Sequence, residues 1–530
     1  MTTTVPPQNA TGSQPRVAGG AKPWVHVGNE ADALDDLVRV MRSDDVPSLY
    51  IRSGGLCWIT EDEGRPVIRQ LNPDNLRAYF AEHVYTYKTT KDRESGEVKE
   101  VRMPVMRQTC ATILGRQAWS LPRLAGLATS PVLRRDGSLV QDAGYDPATG
   151  LYLVPMHTLP PIPENPGVDL LRWARDLLLN KVLPDFPWVK RSDRAQYVAS
   201  LFVPLMRHFI SGPTPMWIIT AGAPGSGKTL LTTIHKEIHG MGDAPWPEND
   251  AELRKAITAN LRDNAEPVIT FDNLPSGFTV RTALLADLMT KATWRDRVLG
   301  SSETVTMPNN RLWMFTGNNL RTGGDLGRRT VWVRLDPDCP NPDRRSDFAI
   351  GDLDVWLKDH STELLQAVLV LLRGWVAAGA TRSDVRMGSF SPWASALGGL
   401  LKWLDVPGWL EDRDAAMAQM DEETEEWHGF LSTWIETLGD APRKTGELVL
   451  SSELNEVIPR LKNGDLPSAK QLGMWIKSRE GRYYGDLKLA SKYDSNLKSN
   501  RWHVVRYGGS KKATSEPPAG PTQGELGDAE

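Results

Sequence analysis

Hydrophobic residues between about 216 and 335 fall into two alternating patterns. Short apolar runs such as MWIIT, VIT and RLWMF alternate with segments whose apolar residues recur every three or four positions. The first pattern is typical of buried strands and the second of amphipathic helices. Their alternation predicts a parallel sheet covered by helices. We therefore expect an α/β core in this part of the chain.

Before residue 165 the pattern changes to short extended runs joined by turns. Apolar runs flank Gly54-Gly55, Asp136-Gly137 and the segment from Pro147 to Gly150. Turn residues between apolar runs predict β-hairpins. We expect a small α+β domain here, closed by the Pro-rich linker TLPPIPENPG, Thr158 to Gly167.

Helical patterns lie on both sides of the α/β core. LLRWARDLLLNKVL and SDRAQYVASLFVPLMRHFI precede it, and Ser192 is the predicted N-cap of the second helix. Residues 352 to 420 also have a helical pattern. Their run LLQAVLVLLRGW is interrupted by Gln366 and Arg373, so we expect a buried helix rather than a membrane span.

Composition limits the class of protein. The 530 residues are enough for two to four domains, and the net charge of -4 does not by itself indicate a polyanion partner. Three widely spaced cysteines exclude a disulfide framework and fit a reducing, cytoplasmic location. The first twenty residues are polar and rich in Gly, Pro and Thr, which predicts a disordered arm rather than a signal peptide.

The most specific motif follows the strand MWIIT. The pattern GxxxxGK[ST] is matched by Gly222, Ala223, Pro224, Gly225, Ser226, Gly227, Lys228 and Thr229. Glycines let backbone N–H groups turn towards phosphate oxygens, and the following helix adds a partial positive charge. Lys228 is expected to contact the β- and γ-phosphates of ATP, and Thr229 to ligate Mg²⁺. On the same helix, the i, i+4 pair His235 and His239 lacks the Glu of HExxH, so solvated histidines are expected rather than a zinc site.

The stretch VITFDN, Val268 to Asn273, is predicted to be the second strand of a nucleotide site. Asp272 at its end is expected to complete Mg²⁺ binding. A second acid often follows such an Asp, but here the residue is Asn273. An amide orients water without accepting its proton. Hydrolysis is then either slow or supported by another acid, for which Glu252 and Asp296 are candidates.

Three further features follow in order. A hairpin is predicted by WRDRVLG and ETVTMP around Ser301-Ser302. The apolar run RLWMFTGNN is a predicted strand that ends in Asn318 and Asn319. Another apolar strand follows Arg328-Arg329. This order resembles the AAA+ module of superfamily 3 helicases, particularly the primase-helicase type of phages, plasmids and integrated elements. The resemblance covers roughly residues 165 to 508.

The resemblance implies an ATP-driven ring, usually a hexamer, in the cytoplasm of a bacterial host. It implies that Asn318 polarises the attacking water and that Arg328 or Arg329 reaches the γ-phosphate in a neighbouring subunit. It also implies that the hairpin touches single-stranded DNA in a central channel. The predicted tip lacks the expected basic residue, and Arg295 and Arg297 lie nearer the base. These two arginines are either DNA contacts or salt-bridged surface residues.

Many such relatives carry an N-terminal primase-polymerase domain. Asp35-Asp36 and Asp44-Asp45 do not form a convincing metal-binding set on a strand, so no polymerising activity is expected. The N-terminal domain is expected to be an adaptor or ring-stabilising element instead.

The C-terminal segment is predicted to be a winged helix. FLSTWIETLG, SSELNEVIPRLKN and SAKQLGMWIKSR have helical patterns and precede a strand pair. Between Lys470 and Lys512 there are eleven basic and three acidic residues, an excess of eight, which is typical of phosphate contacts. Candidate contacts with duplex or origin DNA are Lys470, Lys477, Arg479 and Arg482. A protein-binding winged helix is the alternative.

The predicted architecture therefore has several parts. They are a disordered arm (1–20), an α+β domain (21–165), an AAA+ P-loop ATPase (166–380), a helical extension (381–424), a winged helix (425–508) and a disordered tail (509–530). The predicted function is an ATP-dependent DNA helicase or translocase in replication of a mobile element. An ATP-binding, DNA-associated assembly with little hydrolysis is the main alternative, favoured by Asn273. A packaging ATPase would carry a nuclease carboxylate cluster, and a small-molecule kinase would carry an acceptor domain; neither is evident.

Overall fold

The structure is a computed structural model. It describes residues 22–62, 65–93, 96–116, 118–263, 265–297, 304–337, 339, 342–346, 348–420, 422–461, 464–481, 483–494 and 499–506. The predicted arm at 1–20, the hairpin tip Ser301-Ser302 and the tail at 509–530 lie outside these residues. The chain divides into two compact units, Met1–Ala416 and Met417–Glu530.

The first unit begins with short strands and helices. In order they are β1 (Trp24–His26), α1 (Glu30–Val40), β2 (Leu49–Arg52), β3 (Gly55–Asp62), β4 (Arg65–Gln70), α2 (Pro73–His83), β5 (Tyr85–Lys91), β6 (Val98–Arg102), α3 (Arg107–Gly115), β7 (Gly126–Ala128), β8 (Val132–Leu133), β9 (Leu139–Val140), β10 (Gly144–Asp146) and β11 (Leu151–Leu153). Helices α1 to α3 pack with strands β1 to β3 around a core that includes Leu37, Tyr79 and Phe80. Strands β7, β8, β9 and β11 form a separate small core around Val132 and Leu153. This confirms a mixed α and β composition for the region.

The three predicted hairpins are present. Strands β2 and β3 pair antiparallel across Ser53 and Gly54, whose φ values of 52° and 83° are those of a tight primed turn. Strands β8 and β9 pair across the Asp136-Gly137 turn, and β10 pairs with β11 across the segment from Pro147 to Gly150.

Helices then lead to the central sheet. Helix α4 (Val168–Arg175) continues as a π-helix (Asp176–Val182), and α5 (Arg191–Met206) follows. The predicted N-cap Ser192 is wrong, because the N-cap position is Lys190 and Ser192 lies inside the helix. The Asp193 carboxylate accepts a hydrogen bond from the Lys190 backbone N–H at 3.0 Å. A carboxylate at the third helical position satisfies a backbone donor that has no helical partner, and pattern reasoning alone did not separate these positions.

The predicted parallel sheet is confirmed. The segment that contains the sheet comprises, in order, β12 (Met216–Ala221), α6 (Lys228–His239), β13 (Met241–Ala244), α7 (Asp250–Asp263), β14 (Val268–Leu274), β15 (Thr279–Val280), α8 (Ala283–Leu288), β16 (Thr293–Arg297), β17 (Thr304–Pro308), β18 (Leu312–Asn318), β19 (Arg321–Thr322) and β20 (Thr330–Leu335). The five-stranded order is β13-β14-β18-β12-β20, with every pairing parallel. Strands β12 and β20 are buried along their whole length, as expected for a sheet covered on both faces. Strands β16 and β17 form the predicted antiparallel hairpin.

Helices α9 (Leu353–Ala377), α10 (Ser391–Trp403) and α11 (Arg413–Met420) follow the sheet. The apolar run in α9 is buried, which confirms a core helix. No helix in the described part of the chain is long and apolar enough to cross a membrane.

The second unit contains α12 (Glu422–Leu438), α13 (Thr445–Val449), α14 (Ala469–Ser478), β21 (Tyr483–Tyr484), β22 (Leu487–Asp494) and β23 (Ser499–Arg506). The helix predicted for SSELNEVIPRLKN is wrong. Its described residues form turns, while a short helix lies just before them. Leu454 and Ile458 are nevertheless buried in the core of this unit, so their helix-like spacing reports burial rather than a helix. The strands form one three-stranded antiparallel sheet instead of the predicted pair.

Candidate functional site

The glycine-rich loop joins the carboxyl end of β12 to the first turn of α6. Gly225 and Gly227 have φ values of 75° and 93°, a region that favours glycine. A Cβ atom on Gly227 would also lie 3.3 Å from the ring of Phe186. The left-handed turns of the predicted phosphate-binding loop therefore depend on these two glycines.

Lys228 lies at the start of α6 and reaches the end of a neighbouring strand. Its Nζ donates to Asn318 Oδ1 at 2.6 Å and to the Ala223 carbonyl at 3.4 Å. Burial lowers the pKa of Lys228, and the negative charge of Asp272 opposes that shift. The structure therefore brings together three predicted site residues, Lys228, Asp272 and Asn318.

Asp272 and Asn273 form a bulge at the end of β14. Phe271 pairs with Phe315 and Leu274 pairs with Gly317, so these two residues lie opposite one residue, Thr316, on β18. The Thr316 hydroxyl donates to Asp272 Oδ1, and the Asn273 backbone N–H donates to Thr316 Oγ1 at 3.0 Å. Thr316 therefore fixes the position of the predicted magnesium ligand.

Asn273 has a left-handed backbone, with φ of 53°. Asn is among the few residues other than Gly that adopt this region readily, because its short polar side chain tolerates it. The backbone conformation thus explains why position 273 carries asparagine, independently of any role in catalysis.

The predicted Mg²⁺ ligands suit a hard cation. Thr229 is exposed in the first turn of α6, and Asp272 is exposed at the end of β14. Among the described residues, Asp272 Oδ2 accepts no hydrogen bond. Hydroxyl and carboxylate oxygens are the donors that Mg²⁺ prefers, so this pair fits the ion.

A cavity of about 670 Å³, a volume that includes open solvent, adjoins the loop. Gly225, Ser226 and Gly227 form one side of it. Its other lining residues are mainly apolar and come from two segments that flank the sheet in sequence, namely Val182, Phe186, Pro187, Pro337, Pro342, Phe348, Ile350 and Leu353. An apolar cavity beside a phosphate-binding loop can hold the base of a nucleotide.

Arg328 and Arg329 occupy different environments. Arg329 is 12% exposed at its side chain and donates to the Ala286 carbonyl and to Asp325. Arg328 is 63% exposed at its side chain and pairs with Asp325, with one hydrogen bond at 2.8 Å. Arg329 therefore makes contacts within the fold, while Arg328 is presented at the surface.

The predicted hairpin residues differ in their contacts. Arg295 and Arg297 are exposed on β16, and no ion pair of either is found within the described ranges. Asp296 accepts from Arg254 at 3.0 Å and from Thr258 at 2.6 Å. Glu252 pairs with Lys255 at 2.7 Å. Both candidate acids are therefore engaged on or beside α7.

In the second unit, Lys470 and Lys477 are exposed on α14, and Met474 between them is 56% exposed. Their i, i+4, i+7 spacing places all three on one face. Arg479 instead lies with its guanidinium 4.7 Å from the centre of the Trp427 ring. Arg482 lies outside the described residues.

The expectation of solvated histidines on α6 is wrong. His235 and His239 are both fully buried; His235 Nε2 lies 2.9 Å from Ser200 Oγ, and His239 Nε2 lies 2.9 Å from the Leu201 carbonyl. They pack between α6 and α5 with one partnered nitrogen each, since no hydrogen-bond partner of either Nδ1 is found among the described residues. No cluster of three or more His, Cys, Asp or Glu side chains that could hold a metal ion occurs within the described ranges.

Sequence reasoning missed Thr316 and the cavity. Thr316 is a polar residue within the otherwise apolar run RLWMF-T, directly before the glycine and asparagine that end the strand, and this interruption was an available signal. The cavity carried no comparable signal, since its lining comes from segments more than a hundred residues apart.

Comparison with known proteins gives only distant similarity. No protein-family profile matches the chain, and no curated protein does. Among solved structures, the C-terminal region of NrS-1 is 12% identical, with 87% of this chain and 96% of that chain covered and a TM-score of 0.37. An SCCmec type IV Cch active helicase is 12% identical, with 72% and 74% covered and a TM-score of 0.33. A JCV helicase is 14% identical, with 49% and 71% covered and a TM-score of 0.22. Two of these three are named as helicases, at TM-scores too low to support an argument.

Proposed function

We propose that this chain is an ATP-driven DNA translocase of the superfamily 3 helicase type. The observation that carries the proposal is the contact between Lys228 and Asn318. It joins the phosphate-binding loop to the end of β18, the strand that separates β12 from the Asp272 strand β14. A lysine, an amide and a carboxylate thus converge where the terminal phosphate of ATP would lie.

The phosphates of ATP bind the backbone N–H groups of the loop from Gly222 to Thr229, and Lys228 neutralises their charge. Thr229 and Asp272 would hold Mg²⁺, which would supply charge stabilisation at the phosphoryl oxygens. The base occupies the apolar cavity beside Phe186 and Phe348. Asn318 orients the attacking water through its amide, and the Thr316 hydroxyl holds the Asp272 carboxylate in position.

The chain acts as a ring, most simply a hexamer, with Arg328 as the residue that reaches the ATP of a neighbouring subunit. Its exposure supports this role, because an arginine that acts across an interface must extend from its own subunit. The contacts of Arg329 with Ala286 and Asp325 favour a structural role for that residue.

DNA binds at two places in this proposal. Arg295 and Arg297 at the hairpin contact single-stranded DNA in the central channel, supported by their exposure. The second unit acts as a winged helix whose α14 presents Lys470 and Lys477 to duplex or origin DNA. Loading by this unit would place the protein in the replication of a phage, plasmid or integrated element.

A second candidate function is an ATP-binding, DNA-associated assembly that hydrolyses little ATP. Asn273 favours it, since the position beside Asp272 carries an amide, and the two alternative acids Glu252 and Asp296 are engaged by Lys255 and Arg254. Such a protein would bind ATP through the same loop and change its assembly or DNA affinity without translocation.

The two functions are separated by strand displacement. The full chain is incubated with a forked duplex carrying a fluorophore and quencher, with ATP or with a non-hydrolysable analogue. The motor predicts strand release with ATP alone, and none for Lys228→Ala. The exposed Lys236 on the same helix provides the matched control, because Lys236→Ala should release the strand as the native chain does. Binding of the fork without release under either condition would favour the assembly.

A further inference from the structure

Arg328 lies at the edge of the central sheet that is opposite to the glycine-rich loop of its own chain. Strands β12 and β20 pair in parallel along their whole length. The loop follows the carboxyl end of β12, whereas Arg328 precedes the amino end of β20 in the short 3-10 helix Gly327–Arg329. Because parallel strands point the same way, the two features lie at opposite ends of these strands. This placement agrees with the proposed role of Arg328 across a subunit interface.

The segment that leads into α11 packs closely against the start of α5. Gly408 has a φ of 107°, and a Cβ atom there would lie 2.9 Å from the Ser192 backbone nitrogen. Glycine therefore permits an approach that any larger residue would prevent. Three residues further on, Glu411 accepts hydrogen bonds from Arg191 through both carboxylate oxygens, one of them at 2.9 Å. The segment is thus fixed against α5 by its backbone and by an ion pair.

The next residue, Asp412, fixes the same segment against β20. Its carboxylate accepts a hydrogen bond from Arg334, whose side chain is 6% exposed and which also donates to Asp193 at 2.9 Å. Lys190 lies 3.4 Å from the same carboxylate oxygen of Asp412. A buried arginine that contacts two carboxylates tolerates little movement, because a lost contact would leave a buried charge unpaired.

Arg413 then contacts the proposed interface arginine. Its Nη2 donates to the Arg328 backbone carbonyl at 2.9 Å, and its side chain is 22% exposed. It also lies 3.5 Å from the carboxylate of Asp414, which is 89% exposed at its side chain. The guanidinium of Arg328 pairs with Asp325. Position 328 is therefore held at two points, its side chain by a nearby residue and its backbone by a residue 85 positions later.

We propose that Arg413 is a positioning residue for Arg328, because it fixes the backbone from which the Arg328 side chain extends to the ATP of a neighbouring subunit. A charge that stabilises a transition state must be held accurately, since a displacement of about 1 Å can cost about 10²-fold in rate. The consecutive residues Asp412 and Arg413 hold β20 near its carboxyl end and just before its amino end. The proposal deepens the proposed function and rests on it for the role of Arg328.

Steady-state ATP turnover of the full chain tests the proposal. Arg413→Ala should lower kcat about 10- to 100-fold and leave KM for ATP within about twofold of the native value, because the loop that binds ATP is not changed. Arg413→Lys keeps a donor and should recover part of kcat. Arg191→Ala is the matched control, since it removes an arginine that anchors the same segment through Glu411 rather than through position 328. Its kcat should stay close to the native value.

A double-mutant cycle separates positioning from a general structural effect. In an Arg328→Ala background, Arg413→Ala should cause no further fall in kcat, since the residue through which it acts is already absent. Three results would each overturn the proposal. They are a native kcat in Arg413→Ala, an equal fall in Arg191→Ala, and an undiminished further fall in the Arg328→Ala background.

A measurement without ATP separates this proposal from the ATPase. Arg413 contacts the backbone carbonyl of position 328, so the contact is retained when a nitroxide spin label is attached to Arg328→Cys. Cys339→Ser removes the native cysteine that is partly exposed, and the other two cysteines are buried. We expect the spectrum of the nitroxide to show greater mobility when Arg413→Ala is added, and no change when Arg191→Ala is added.

The two measurements fail independently. Absence of ATP turnover in the native chain, together with the expected gain in nitroxide mobility, would reject the motor and retain the positioning of residue 328 by Arg413. DNA-stimulated turnover in the native chain, with neither kcat nor nitroxide mobility changed by Arg413→Ala, would retain the motor and reject the positioning role.

Discussion

Lys228 and Asn318 lie ninety positions apart in the chain, yet Lys228 Nζ donates to Asn318 Oδ1 at 2.6 Å. The parallel order of the sheet explains the contact. Strand β18 lies directly beside β12, with Ala221 paired to Asn318, so the carboxyl ends of both strands meet beside the glycine-rich loop. The Asn318 amide oxygen thus accepts a hydrogen bond from the lysine that is proposed to bind phosphate.

Replacing Asn318 should separate ATP binding from hydrolysis. In Asn318→Ala the amide that is proposed to orient water is lost, while the loop backbone should be unchanged. We expect kcat for ATP to fall about 10²- to 10³-fold, with little change in the dissociation constant for ATP. Steady-state turnover and nucleotide titration measure the two quantities. An equal loss of binding would show instead that Asn318 mainly positions Lys228.

Asn273 should respond to substitution according to its backbone. Asn273→Gly keeps the left-handed conformation, and its free energy of unfolding should be nearly that of the native chain. Valine is β-branched and disfavours this conformation, so Asn273→Val should lower the free energy of unfolding by about 1–2 kcal/mol. Urea denaturation of the two variants provides the comparison. Equal stability of both would mean that the left-handed conformation is not what selects this residue. Asn273→Asp tests the chemistry separately, since it introduces the missing acid at a φ that Asp tolerates.

Substitution of the two adjacent arginines should have different effects, one on stability and the other on ATP turnover. Arg329→Ala removes contacts to Ala286 and Asp325 and should lower the free energy of unfolding by about 1–3 kcal/mol. Arg328→Ala should leave folding intact but reduce ATP turnover about 10³-fold if it acts across a subunit interface.

Mixing experiments test that interface directly. Lys228→Ala and Arg328→Ala proteins should each be inactive, while a mixture should regain part of the turnover. The reason is that some interfaces then combine an intact loop with an intact arginine. A mixture that stays inactive, although its subunits exchange, would exclude a role of Arg328 in trans.

Stability should depend on pH through the buried histidines. Burial lowers the pKa of His239 to about 3 and that of His235 well below its ordinary value, whereas in the unfolded chain both bind protons near pH 6.5. The unfolded state therefore binds more protons below pH 6.5, and the free energy of unfolding should fall as pH decreases from there towards 3. Each histidine contributes up to about 1.4 kcal/mol per pH unit.

The measurement is urea unfolding at several pH values for the native chain and for His239→Gln. The variant should show a shallower pH dependence by about one proton, even if it is less stable at pH 7. An identical slope in the two proteins would mean that His239 is not the group that takes up the proton.

Local patterns in the sequence predicted much of the first unit. Glycine-rich turns located the β2–β3, β8–β9 and β10–β11 hairpins, because turn conformation depends on a few adjacent residues. The alternation of apolar runs predicted the parallel sheet for a similar reason. Features that depend on distant residues were missed. Thr316 matters only because a bulge in β14 lies opposite it, and the apolar cavity beside the glycine-rich loop joins residues from Val182 to Leu353.

Two predictions from local sequence patterns were wrong because burial was not taken into account, one in each unit. His235 and His239 were expected in solvent because their spacing was compared only with a zinc motif, but α5 covers that face of α6. Leu454 and Ile458 have helical spacing and are buried, yet the chain around them turns. Spacing reports which side chains share a core, and several backbone paths satisfy the same spacing.

The central claim is that the loop around Lys228 binds and hydrolyses ATP in a DNA-dependent cycle. The most direct test is ATP turnover of the purified full chain with and without single-stranded DNA, beside Lys228→Ala and the control Lys236→Ala. We expect turnover that rises with DNA, disappears in Lys228→Ala and persists in Lys236→Ala. Tight ATP binding without turnover, with or without DNA, would contradict the motor and leave an ATP-dependent DNA-binding assembly.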